Sequence, residues 1–207
     1  MRLKIDQLNA IQTEYPAIDF EEYFSVLDIP KEDKEKRIEL AEEVKDVYDW
    51  LFNLILLFMA TGEEIDTEYL ILSVQYRLSD LENVNVKYVS EHIVRFARET
   101  VETTVLYRED NYYLSPQRSS EIAAGEAHTY FNYEELQEAW DNGYTKKEWR
   151  TQNDFKVRKT HRALEGKKIP LDALFEVGDG EMICPRDSEH GVSLSEISNC
   201  RCFLTYS

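Results

Sequence analysis

Apolar residues recur at steps of three and four along most of the first two thirds of the chain. Ile38, Ala41, Val44, Tyr48, Leu51, Ile55 and Phe58 make the clearest stripe, and their spacing predicts a helix over residues 31–60. From Trp50 to Ala60 this segment is apolar on all sides except at Asn53. A bilayer crossing takes about 20 apolar residues, so the run predicts a buried or partner-docked helix instead, capped at Gly62. Asp66 is the N-cap candidate of a second helix reaching Leu81, and Asn83 and Asn85 mark a break. Val89, Ile93, Phe96, Ala97, Val101 and Val105 then predict a third helix over residues 86–107. Before these, Phe20, Tyr23 and Phe24 predict a short helix between Pro16 and Pro30. Asn111 to Glu121 reads as a loop, with Ser119 or Ser120 capping a helix that runs from Glu121 towards Tyr130 and continues or restarts over Tyr133 to Trp140.

After the Asn142-Gly143 turn the period changes. Lys147 to Arg150 reads as a short strand, and Asp154 to Leu164 as a helix with Val157, His161 and Leu164 on one side, stopped by Gly166. Pro170 to Val177 is extended, Gly178 to Gly180 turns, and Met182 to Cys184 is extended again up to Pro185. The alternation in CRCFLTY suits a closing strand. The pattern therefore predicts an α+β fold: a mainly helical part over residues 1–144, then a small α+β domain with short strands over residues 145–207.

Charge sharpens this division. The net charge is −17, which argues against a general binder of nucleic acid or anionic membrane. The chain from Thr145 onward nevertheless carries 11 basic and 10 acidic residues, against 13 and 31 before it. Lys156, Arg158, Lys159, Arg162, Lys167 and Lys168 concentrate the positive charge. They form either a solvated face or a track for DNA phosphates, and DNA or an acidic neighbouring subunit would be the partner. The first residues contain no signal-peptide core, which makes the cytosol the expected place of synthesis.

Cys184, Cys200 and Cys202, an odd count with a C-x-C pair, do not resemble a secreted disulfide framework. His161, Cys200 and Cys202, with Cys184 or His190, make a candidate zinc set, since zinc takes four tetrahedral N and S ligands. The competing readings are buried thiols packed as small apolar groups, or a disulfide from Cys184 to Cys200 or Cys202. His161, Arg158 and Asp154 also make an acid–base constellation, with His161 as general base, Arg158 and Arg201 on phosphate and Asp154 as orienter. The competing reading is a structural network in which Asp154 pairs with Arg158 and His161 bonds to Asp154 or a carbonyl. No second carboxylate pair accompanies the constellation, which favours the structural reading. Trp149 is the expected core anchor of the C-terminal domain.

Trp149, Thr151, Asp154, Val157, Arg158, His161, Leu164 and Gly166, then Pro170, Leu171, Asp172 and Phe175, then Pro185 and Asp187, then Asn199, Cys200, Arg201 and Cys202, follow one another at distinctive spacings. This combined pattern resembles the C-terminal domain of the phage Mu F-like minor head proteins, also called phage head morphogenesis proteins. The upstream Ile122, Ala123 and Glu126, with Gly143 and Lys147, fit the lead-in. The resemblance implies a structural, non-enzymatic protein of a tailed-phage or prophage head, made in the host cytoplasm and carried in the virion. Portal protein, major capsid protein and packaged DNA would be its partners, and no cofactor is implied. The N-terminal helical part is shorter and more acidic than the fuller family pattern. The alternatives are a nuclease-like enzyme using His161 and Arg158, and a host-directed effector carried in the head.

Overall fold

The structure is a computed structural model that describes residues 11, 13–81 and 87–207, the side chains of residues 87–91 excepted. The break expected at Asn83 and Asn85 lies outside the described residues. A helical N-terminal part is followed by small antiparallel sheets, so the chain is α+β. Two compact units make it up. One takes the residues up to Phe24 and Glu35–Glu126; the other takes Ser25–Lys34 and Ala127–Ser207. Within the helix Pro116–Asp141 the boundary between these units follows Glu126, and the change of period lies at residue 144.

The helical unit is built on α1 (Phe20–Ser25), α2 (Lys31–Thr61), α3 (Thr67–Ser79), α4 (Lys87–Leu106) and the first half of α5 (Pro116–Asp141). Leu40, Ala41, Val44, Tyr48, Leu51, Phe52 and Ile55 form the buried stripe of α2, the outcome that their three-and-four spacing dictates. Gly62, at φ +76, ends this helix by donating its N–H to the Phe58 carbonyl at 2.8 Å. Asp66 caps α3, its carboxylate accepting the Tyr69 N–H at 3.0 Å. Among the described residues, no helix is long and apolar enough to cross a membrane.

Helix α5 starts earlier than the sequence suggested. Pro116 takes the first helical position, where its missing N–H costs nothing, and Ser115 Oγ caps the helix by accepting the Arg118 N–H at 3.2 Å. Ser119 and Ser120 lie inside the helix, and their hydroxyls return to the Pro116 carbonyl at 3.0 and 2.8 Å. The segment then runs unbroken to Asp141.

The second unit owes its helical residues to a set of polar contacts. From Ala127 on, α5 presents His128 Nε2 to the Cys202 carbonyl at 2.9 Å, Asn132 to the Pro185 carbonyl at 3.0 Å and Tyr133 to Asp187 at 2.8 Å. This is why residues 127–141 belong with the strands. The sheet runs β2 (Lys168–Pro170), β1 (Lys146–Arg150), β5 (Phe203–Tyr206), all antiparallel, with Trp149 opposite Leu204 and Lys147 opposite Ile169. A hairpin of β3 (Phe175–Val177) and β4 (Gly180–Met182) turns at Gly178, whose φ of +60 suits the tight two-residue connection. Trp149, Phe175, Val177 and Met182 are wholly buried and form the core with Leu164, Leu171, Phe203 and Leu204.

Candidate functional site

The turn after β1 is held by Asp154. Its carboxylate accepts the N–H groups of Lys156 and Val157 at 2.9 and 3.1 Å, and Arg201 donates to both of its oxygens at 2.9 and 2.7 Å. An Asp that satisfies turn N–H groups in this way competes with a helix. Residues 151–158 are therefore irregular, and only a single helical turn remains, α6 (Lys159–Arg162). The longer helix expected from Asp154 does not form. Arg158 does not pair with Asp154 either; its guanidinium bonds to the Ser198 carbonyl.

On the other side, Pro185 and Arg186 make a tight turn in which the Asp187 N–H meets the Cys184 carbonyl at 3.1 Å. The chain then forms the short α7 (Leu194–Ile197) and reverses at Asn199, at φ 54. That left-handed residue, a conformation Asn tolerates better than most side chains, leads Cys200, Arg201 and Cys202 up to the start of β5.

The two segments bring His161, Cys200 and Cys202 together, 1%, 1% and 3% exposed. Their ligand-type atoms all lie within 4.8 Å of one another. His161 Nδ1 is 3.5 Å from Cys200 Sγ and 3.4 Å from Cys202 Sγ. The opposite ring nitrogen, Nε2, faces Glu196 Oε2 at 3.0 Å, an ion-pair distance without hydrogen-bond alignment. Thr160 holds the same carboxylate oxygen at 2.8 Å. Gly178 leaves room for Glu196: a Cβ at that glycine would stand 2.5 Å from Glu196 Oε1. Trp149 packs edge-on against the imidazole, with ring centres 5.6 Å apart.

The two thiols are unequal. The hydrogen bond from Cys202, against the desolvation of burial and helped by His161, holds Cys200 well below the usual thiol range. Giving that bond, and being buried, pushes Cys202 up, while the Trp149 indole N–H opposes the rise.

Of the residues expected to bind metal, His161, Cys200 and Cys202 converge, and neither Cys184 nor His190 joins them. Cys184 is buried and free, and burial pushes its thiol up, with the Asp187 carboxylate adding to the effect. The disulfide reading has no support, since all three cysteines are free thiols. His161 bonds neither to Asp154 nor to a backbone carbonyl; its neighbours are sulfur and Glu196. The constellation of His161, Arg158 and Asp154 is dispersed among separate partners. Lys156, Lys159, Arg162, Lys167 and Lys168 are exposed and Arg158 is half-buried. Lys168 is paired to Glu148 at 3.2 Å, and Arg162 donates to the Val157 carbonyl at 3.0 Å.

Sequence reasoning named Asp187 and Lys147 within the resemblance and gave neither a part in the second polar knot of this unit. Buried Asp187 accepts from Tyr133 and from the Glu189 N–H, both at 2.8 Å, and from the Ile183 N–H at 2.7 Å, and meets His190 Nδ1 at 2.5 Å. Close by, Lys147 is wholly buried and donates to the Leu171 and Ile183 carbonyls at 2.8 and 2.7 Å. Burial lowers its ammonium to about 8, against the pull of Cys184 and Asp187. Glu196 was missed as well: a lone Glu in a polar loop carries no periodic or spacing signal.

No known family model, curated protein or solved structure matches the chain.

Proposed function

We propose that this chain is a minor head protein of a tailed phage or prophage, a virion component that docks on portal or major capsid subunits. The residues that carry the resemblance to the phage Mu F-like minor head proteins support this reading through the work they do. Trp149, His161, Cys200, Cys202 and Asp187 are buried, and Asp154 is tied to Arg201. Their burial and pairing hold one small module in shape. A nuclease needs its base and its phosphate-binding arginines facing solvent, and His161 is 1% exposed.

What this part of the unit offers to solvent is Phe155, 89% exposed, on the turn that Asp154 and Arg201 pin, with exposed Lys156 next to it in sequence. That exposed ring is the observation that carries the docking reading. An aromatic group held out on a fixed turn, with positive charge at its rim, suits an apolar pocket on an acidic partner. Lys159, Arg162 and Lys167 extend the basic character and are the side chains that would reach packaged DNA.

Co-purification with the portal ring of the same phage tests this. The wild-type chain should be retained on portal rings, and Phe155→Ala should weaken retention by roughly 30-fold, the effect of losing an anchor worth about 2 kcal/mol. Its melting temperature should not change. Equal retention of the variant, or no retention of either protein, would count against docking through this turn. Metal-dependent cleavage of nucleic acid that disappears in a folded His161→Ala would favour the enzyme reading instead.

A further inference from the structure

We infer that His161 Nδ1, Cys200 Sγ and Cys202 Sγ form a binding site for one Zn²⁺ ion, with Glu196 steadying the imidazole from behind. This goes beyond the docking reading and is independent of it, because zinc content says nothing about portal binding.

The spacing is the first argument. Zinc sits about 2.0–2.1 Å from imidazole nitrogen and about 2.3 Å from thiolate sulfur, so a tetrahedral angle sets nitrogen and sulfur about 3.5–3.6 Å apart. His161 Nδ1 lies 3.5 and 3.4 Å from the two sulfurs. The side chains therefore stand near the distances that a bound ion would impose.

The second argument is the far side of the ring. Metal-binding imidazoles commonly present their other nitrogen to a carboxylate, which fixes the tautomer and raises basicity. His161 Nε2 faces Glu196 at 3.0 Å, and Glu196 is itself held by Thr160 at 2.8 Å and packed against Gly178. A proton on Nε2 would face that carboxylate and leave the Nδ1 lone pair for a metal held by the two sulfurs.

Charge is the third. Two thiolates and a neutral imidazole cancel a divalent ion, so the loaded site is neutral and tolerates burial. The indole N–H of Trp149 is buried and has no well-aligned hydrogen-bond partner among the described residues. It lies beside Cys202, where a metal-bound thiolate would accept it. Two sulfurs and one nitrogen select zinc over the hard cations. Three of four positions come from the protein, and the fourth neighbour would be a solvent molecule.

The full-length chain, expressed with zinc in the medium and purified without chelator or affinity tag, should hold one zinc ion per chain by plasma mass spectrometry. Cys184→Ala should hold the same amount. Cys200→Ser and Cys202→Ser should lose it. Glu196→Gln should keep zinc but yield it to a chelator about 10- to 100-fold more readily. Should the serine variants fail to fold, Co²⁺ in the wild-type protein decides: thiolate-to-cobalt charge transfer with an intense tetrahedral visible band is expected. Folded wild type that stays zinc-free after loading overturns the site. So does unchanged zinc in Cys200→Ser and Cys202→Ser, loss in a folded Cys184→Ala, or a Co²⁺ spectrum without sulfur charge transfer.

Discussion

Lys147 shows how one residue can look ordinary in sequence and be costly in structure. On β1 it shares the buried face with Trp149, because alternate residues of a strand face the same way. Its ammonium survives there by donating to two carbonyls. Burial lowers its pKa from 10.5 to about 8. Between those values the unfolded chain binds the extra proton, so the penalty is full below pH 8 and is relieved as pH rises towards 10.5. The expected outcome follows from that sign. In urea titrations, the stability of the wild type relative to Lys147→Met should rise across pH 8 to 10.5, by up to about 3 kcal/mol. A flat difference would mean that Lys147 keeps its solvent pKa. The sequence marked this residue only through the resemblance, and nothing in its local pattern announced burial, since a Lys at the start of a short strand normally points outwards. His161, Cys200 and Cys202 were legible because few reasons other than a shared site place such chemistry in a compact domain. Cys184 misled the sequence reading because count and spacing carry no information about which sulfurs meet.

At the scale of elements, periodicity served the helices well and polar side chains redrew their ends. The α2 stripe falls close to where steps of three and four put it, and so does the α4 stripe from Ile93 on, Val89 lying outside the described side chains. The start of α5 and the length of α6 do not, because Ser115 and Asp154 bond to backbone N–H groups. Short strands were legible from alternation, although β5 begins at Phe203 and leaves the C-x-C pair on the approach to it. Gly166 and Gly178 show what a glycine's surroundings add to its φ. Both are left-handed, at +73 and +60, so an alanine at either costs about 1–2 kcal/mol in strain. Only at Gly178 would the new methyl meet Glu196, at 2.5 Å, whereas at Gly166 the nearest atom is 3.8 Å away. Gly178→Ala should therefore weaken zinc binding about tenfold by pushing Glu196 off the imidazole, and Gly166→Ala should not. Competition with a chelating dye reads the difference. Equal affinities would remove Glu196 from the account.

For the whole chain, charge and chemistry divide the labour. The helical part carries most of the negative charge, and the C-terminal residues gather the sulfur, the buried imidazole and the exposed basic run. The resemblance to head proteins rests on that second group. Its side chains form buried structural contacts. The most direct test is quantitative mass spectrometry of tailed-phage heads purified from the strain that carries this gene. The expected result is a few copies of this chain per head, retained through high-salt washing and released together with the portal when heads are dissociated. Heads that contain portal and major capsid protein but none of this chain would contradict the account.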